Sequence, residues 1–337
     1  MNYRPIFIGG CDRSGTTLLG DLLGNSPWTL TTPESQFMHE LLLHLKLGSL
    51  TTPQGAAQWL QNHFRFATWD MQLTPGELEQ LLTLDNPRQA IEGIVQCYAK
   101  QYHSQKLSAD VWVDHTPDNF KYHAMLKALF PEARFVHIVR DGRAVCASIK
   151  DLDWGPNNAY TASRHWADRL QQALAVESAE GANCHRVRFE DLVANPGSVL
   201  AELCAFIDIP FDASMLRGGG LVLPKFTRAQ HRHVGRAPQA SKANQWRQKL
   251  SRRELREFES HPFSRMLLEH LGYPLEYSET PKLSTLYTLG CYCHEFACYL
   301  LHRLRHRRTE RRTVYNYLKR KSTTALPASH ITANHIQ

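Results

Sequence analysis

Residues 6–23, IFIGGCDRSGTTLLGDLL, carry the residue types and spacing best suited to chemistry in this chain. An apolar stretch leads through a turn bracketed by Gly10 and Gly15 into a helical pattern at Leu18, Leu19, Leu22 and Leu23. The two glycines stand where a Walker A loop has its own, and Thr16-Thr17 occupy that loop's Lys-Ser/Thr positions. Glycine lets backbone N–H groups close on an anion at a helix start, and the hydroxyls of Ser14, Thr16 and Thr17 line the turn. The lysine that would reach the β/γ-phosphates of a nucleotide is missing, and a cation stands inside the loop instead, at Arg13. The pattern predicts a cradle for a phosphate-like group other than that of ATP. A ligand-free strand–turn–helix corner is the plainer alternative, disfavoured by the matching context on both sides of the turn.

A second set of anion ligands lies in residues 134–149, RFVHIVRDGRAVCASI. Arg140 emerges where a strand ends, and Ser148 follows eight residues on, within the next helix. A guanidinium fork with a hydroxyl suits a terminal phosphate monoester. Alone, the same residues also fit an ordinary Arg-Asp-Gly turn with Arg140 paired to Asp141 or Asp151. Beside the first loop the ligand reading is the stronger. One loop would grip an anion in mid-ligand, and Arg140 with Ser148 would hold a separate phosphate.

These residues need a scaffold that brings their loops together. Strand patterns at residues 5–9, 111–113, 134–139 and 185–189 alternate with helical patterns at 41–47, 51–85, 88–105, 121–130, 158–180, 196–206 and 252–271. Such alternation predicts an α/β fold, a P-loop-like parallel sheet flanked by helices on both faces. Ligands of such sheets sit at the carboxyl ends of strands. The loops to watch are therefore Cys11 to Thr17, Asp114 to Asn119, Arg140 to Arg143, and Glu190. The division expected is a sheet domain over 1–276, a helical, basic extension over 277–321, and a disordered tail over 322–337.

The chain has 337 residues, 42% of them hydrophobic, enough for a substantial core. Its eight cysteines show no repeated C-x-x-C spacing, which predicts free thiols in a reducing, cytoplasmic setting. The first loop begins close to Met1, so no amino-terminal leader or anchor is expected before it. The net charge of +7 belongs to one segment: residues 303–321 carry nine Lys/Arg against Glu310 alone, leaving the remainder close to neutral. Residues 283–302 are apolar but interrupted by His294 and Glu295, too polar for a spanning helix. Two readings stay open for this extension. It is an in-plane helix with a basic end on the inner, anionic face of a membrane, or a helix packed on the body with a solvated basic tail. No nucleic-acid partner is expected, because the basic residues lack a recognisable binding module.

The motifs DRSGTTLL, FVHIVRDGRA with its later serine, and RVRFEDLVANP occur in this order and together resemble the sulfotransferase superfamily, in particular the branch of protein-tyrosine sulfotransferases and their bacterial relatives. The resemblance covers residues 5–275. It implies 3′-phosphoadenosine 5′-phosphosulfate (PAPS) as co-substrate and sulfuryl transfer to an acceptor hydroxyl or amine. Arg13, Ser14, Gly15, Thr16 and Thr17 would hold the 5′-phosphosulfate, with Arg13 stabilising charge that grows on the leaving phosphate oxygen. Arg140 and Ser148 would hold the 3′-phosphate. A sulfuryl group is less negative than a phosphoryl group, so no metal is expected.

Transfer to a hydroxyl needs a group to take its proton. The resemblance assigns that role to Glu34, twenty-one residues beyond Arg13; the alternative is a first-turn acid after Pro33. His115 stands where the tyrosine-sulfating branch has a lysine, and as a catalytic residue it would act as acid or base; otherwise it is a strand-end histidine capped by Asp114. Phe189 replaces a tyrosine near the cofactor. Residues 225–246, with Arg228, His231 and Arg236, should return over the nucleotide, Arg236 being a further candidate for the 3′-phosphate. His39 and His137 read as structural. The acceptor stays open among a glycan, a lipid, a small molecule and a protein. The competing functions are a P-loop nucleotide kinase, and a non-catalytic protein that binds PAPS or a membrane surface.

Overall fold

A computed structural model describes residues 3–223 and 234–324. In chain order the first half holds β1 (Arg4–Gly9), α1 (Thr16–Gly24), β2 (Thr29–Thr31), α2 (Gln36–Lys46), α3 (Pro53–Asn62), α4 (Phe64–Thr68), α5 (Pro75–Leu81), α6 (Pro87–Tyr102), β3 (Val111–Asp114), α7 (His123–Leu129) and β4 (Arg134–Val139). There follow α8 (Gly142–Ile149), α9 (Ala159–Glu180), β5 (Cys184–Arg188), α10 (Phe189–Ala194), α11 (Pro196–Phe206), α12 (Trp246–Lys249), α13 (Arg252–Glu259), α14 (Pro262–His270) and α15 (Thr285–Thr324). The expected contacts of Arg228 and His231, and the tail beyond Thr324, lie outside the described residues.

The strands form one parallel sheet in the order β2-β3-β1-β4-β5. Side chains alternate across a strand, and the sequence uses both faces. Phe7, Trp112 and Phe135 point into the cluster built with α2 to α7, Phe7 and Trp112 meeting edge to face at 5.7 Å. Ile6, Ile8, Val113, Val136 and Ile138 point the other way, onto α1, α10 and α11. Each such buried side chain contributes about 1.5–3 kcal/mol. A third cluster, centred on Trp166 of α9, holds α8, α13 and α14 against the sheet's β4 side. The α/β architecture expected from the alternation is the one observed.

Three details differ from the sequence reading. β2 is an additional edge strand of three residues, too short for an alternation to register. The helix expected over 252–271 is two helices, because Pro262 cannot donate into the preceding turn and the His261 side chain caps the next helix at Ser264 N. The carboxyl-terminal extension is one continuous 40-residue helix, α15, packed on α9, α4 and α3. The helix runs through the basic segment, as expected for 277–321, and on through residues 322–324, which the sequence reading assigns to the disordered tail. No helix among the described residues is long and apolar enough to cross a membrane.

Two charge groups, one buried and one partly exposed, fasten this frame. Arg143, fully buried at the start of α8, meets Asp141 and Glu259 at 2.8 Å each. Removing one partner of a buried pair leaves an uncompensated charge, so Glu259→Ala should cost about 3–5 kcal/mol in urea unfolding. A loss below ~1 kcal/mol would show the cluster to be dispensable. On α9, Glu177 bridges to β4 and β5 through His137 Nδ1, at 2.5 Å, and Arg186. Burial alone would raise its pKa, but hydrogen bonds with Arg186 and His137 outweigh it and pull the carboxyl from 4.5 to about 2. A depressed acid stabilises the fold above its unfolded pKa and loses that contribution as pH falls towards the folded one. Wild type should therefore lose stability between about pH 4.5 and 2 more steeply than Glu177→Gln, read as thermal midpoints across that range.

Candidate active site

Four loops at the carboxyl ends of the strands converge on one cleft of about 1090 Å³. After β1 the chain must turn sharply beside β4. Gly10 adopts φ 144°, and a Cβ there would lie 2.5 Å from the Ile138 carbonyl oxygen. Gly15 caps α1 with φ 110°, where a Cβ would strike the Phe189 ring at 2.6 Å. The turn between them presents Arg13, Gly15, Thr16 and Thr17 to the cleft, at a helix end whose first amides have no intrahelical acceptor. Ser14 is buried and outside the cleft lining, its N–H donating to the Cys11 carbonyl at 3.1 Å.

Arg140 leaves β4 directly beside this turn. Its Nη1 donates to the Arg13 carbonyl at 2.9 Å and its Nη2 to the Lys242 carbonyl at 3.4 Å. The guanidinium lies 4.0 Å from the centre of the Phe189 ring, so Phe189 supplies a stacking platform in place of a hydroxyl. Asp141 is engaged by Arg143 instead, which removes the Arg-Asp turn pairing as an account of Arg140. Arg140 Nε is buried and without a partner among the described residues. Burial draws the Arg140 pKa down to about 10, with the nearby Arg13 charge acting in the same sense and Glu190 against it. Arg13 in turn donates from Nε to Ser148 Oγ at 3.2 Å, and burial lowers its pKa too, against Glu34 and Asp12. Arg13, Arg140, Ser148, Phe189, Arg236 and Glu34 thus share one cleft.

Glu34 faces the loop from the start of α2. Its Oε2 accepts from Gln36 Nε2 at 2.9 Å and lies 3.5 Å from Arg65 Nη1, while its carbonyl accepts from Trp69 Nε1 at 3.1 Å. His115 is not brought to the lining. It is 2% exposed, packed where Gly20 has no Cβ, and neither ring nitrogen has a partner among the described residues. Asp114 does not cap it, because that carboxylate is taken by Ser35, Thr116 N and Asn119. The structure therefore places His115 behind α1, outside the lining that the other site residues share.

Sequence reasoning missed several lining residues. Asp12 is held by His165 at 3.3 Å and Arg169 at 3.6 Å, and Arg169 also reaches Asp118 at 2.6 Å. Burial would raise Asp12, but His165 and Arg169 outweigh it and keep its pKa below the usual value. His306 and Thr309 of α15 complete the wall near Arg65. No local motif marks them, since only the return of α15 over α4 brings them there.

Residues 5–213 match the Sulfotransferase family. The chain belongs to that family. The sulfotransferase chain is 26% identical over 226 residues to protein-tyrosine sulfotransferase A of Caenorhabditis elegans, covering 64% of this chain and 53% of that one. It is 25% identical to protein-tyrosine sulfotransferase 1 of Danio rerio, covering 66% and 60%. It therefore spans just over half the length of these curated relatives. Among solved structures it resembles the sulfotransferase domain of the Synechococcus PCC 7002 olefin synthase, with a TM-score of 0.53 at 25% identity, covering 81% of this chain and 96% of that one. It also shares the fold of the sulfotransferase domain of the curacin biosynthetic pathway, with a TM-score of 0.52 at 19% identity, covering 82% and 99%.

One support of this sulfotransferase cleft lies outside its lining. Asp21 of α1 is fully buried, and its carboxylate accepts from Gly219 N, Leu221 N and Gly235 N at 2.7–3.1 Å. It fixes the backbone next to Arg236 from below. Asp21→Ala leaves three backbone donors unmet and should cost at least ~2 kcal/mol by urea denaturation. A cost under about 0.5 kcal/mol would mean that water satisfies those groups and the brace is not structural.

Proposed function

We propose that this cleft transfers a sulfuryl group from PAPS to an acceptor hydroxyl or amine. The observation that carries the reading is the contact of the Arg140 guanidinium with the Arg13 carbonyl, which joins a helix-terminus cradle and a second cationic site in one cavity. A ligand with two separated anionic groups fits such a pair. The buried Arg140 Nε without a partner supports an anion as its missing acceptor.

In this reading Arg13, the amides of residues 15–17 and the hydroxyls of Thr16 and Thr17 hold the 5′-phosphosulfate, and Arg140, Ser148 and Arg236 hold the 3′-phosphate. Glu34 accepts the acceptor's proton as its oxygen or nitrogen attacks sulfur. The new bond to sulfur forms as the bond from sulfur to the bridging phosphate oxygen breaks. Arg13 balances the negative charge left on that oxygen, and adenosine 3′,5′-bisphosphate departs. Arg65 Nη1, 3.5 Å from Glu34 Oε2, helps to hold that carboxylate in the cleft. The names of the two curated relatives make a protein tyrosine the first acceptor to try, ahead of glycans, lipids and small molecules.

Titration calorimetry with adenosine 3′,5′-bisphosphate tests the donor half. Arg140→Ala should weaken binding at least about tenfold, near 1.4 kcal/mol; unchanged affinity would refute the 3′-phosphate assignment. Labelled PAPS with a tyrosine-containing peptide panel tests the base. Glu34→Gln should keep bisphosphate affinity while transfer falls about 10²–10⁴-fold. Full turnover by that variant would remove Glu34 from the mechanism.

A further inference from the structure

The helix α15 presents two unlike faces. Its inner face is fastened to the body. Glu295 accepts from Asn157 N at 2.8 Å and Thr161 Oγ1 at 2.9 Å, Cys291 is buried, and the His306 ring meets Phe64 at 5.9 Å. At 100° per residue, the opposite face carries Leu286, Leu289, Phe296, Leu300 and Leu304. All five are exposed, Leu286 by 80%, Phe296 by 62% and Leu304 by 64%. The stripe is about 27 Å long at 1.5 Å per residue. Soluble surfaces rarely leave so continuous an apolar row uncovered.

The same face then changes character without a break. Arg307, Arg308 and Arg311 continue the stripe along the helix, exposed, while Glu310 turns aside to His306 at 3.0 Å. A row that is apolar for five turns and cationic for about the next turn and a half has one complementary surface: acyl chains bordered by phosphates. We infer that α15 docks this sulfotransferase on an anionic phospholipid surface, lying in its plane. Pairing with a second copy would cover the leucines but would leave the arginines without counter-charge. The inner face of the same helix lends His306 and Thr309 to the cleft, so docking brings the cleft wall alongside the lipid.

Flotation of the full chain with vesicles tests this. Phosphatidylcholine vesicles with about one-third phosphatidylglycerol should retain the protein at least about tenfold better than phosphatidylcholine alone, and raised salt should weaken the binding. Two variants separate the two parts of the face: L289S/F296S/L300S and R307Q/R308Q/R311Q. Each should lower retention about tenfold or more while far-ultraviolet circular dichroism and the unfolding midpoint stay close to wild type. The arginine variant changes only exposed positions, so it reads the inference even if the stripe variant folds poorly. Equal retention on neutral and anionic vesicles, retention unchanged in the arginine variant, or a concentration-dependent dimer that the stripe variant dissolves would each overturn it. Vesicle retention is read without donor nucleotide, so a failure of the proposed transfer reaction leaves this result distinguishable.

Discussion

The geometry of the cleft depends on one hydrogen bond, from the Arg140 guanidinium to the carbonyl of Arg13. It ties the loop after β1 to the end of β4, which the parallel register has already set side by side. Two buried cations held together are unfavourable by themselves, and burial lowers both pKa values accordingly. Glu34 and Asp12 offset the charge at Arg13 and Glu190 that at Arg140, and in the proposed reading a bound anion would offset both further. Phe189 adds a ring face that replaces water on one side of the Arg140 guanidinium while leaving it charged.

Around that contact, buried polar groups do the positioning. Arg143 with Asp141 and Glu259 fixes where α8 starts, and hence where Ser148 arrives. Asp114 holds Ser35 and Thr116, and so sets the chain next to Glu34. Asp21 gathers three amides below Arg236. None of these carboxylates lines the cleft. Each is satisfied by its neighbours, and their buried charges are costly to rearrange, which makes the site stiff before any ligand arrives.

What could be read in advance was local. Gly10 and Gly15 betray a tight turn because only glycine tolerates those φ values beside β4 and Phe189, and an arginine at a strand end falls at the sheet's ligand edge by topology alone. Glu34 was reachable only through the family resemblance, which implies a glutamate at that distance from Arg13. Arg65, His165, Arg169 and His306 were not, since their places depend on how α4, α9 and α15 pack, and packing between distant helices leaves no fixed spacing in a sequence. His115 illustrates the same limit: its place at a strand end is legible, but its packing into the space that Gly20 leaves by lacking a Cβ is not.

The two walls of the cleft are consequently built under different constraints. Residues 13–17, Arg140 and Ser148 stand on turns and helices that follow β1 and β4, strands clamped by sheet register, where a shift of one residue would turn side chains to the wrong face. The facing wall, with Gln36, Arg65, His306 and Thr309, comes from α2, the short α4 and the far-travelled α15. Its links are partly exposed, such as the 3.5 Å pair of Glu34 with Arg65, and contacts of that kind contribute only ~0–1 kcal/mol. Side chains on that wall can change at small cost to stability, whereas those on the anion side cannot. If the proposed reading holds, acceptor selection would diverge on this facing wall while the half proposed to bind the anion stays fixed.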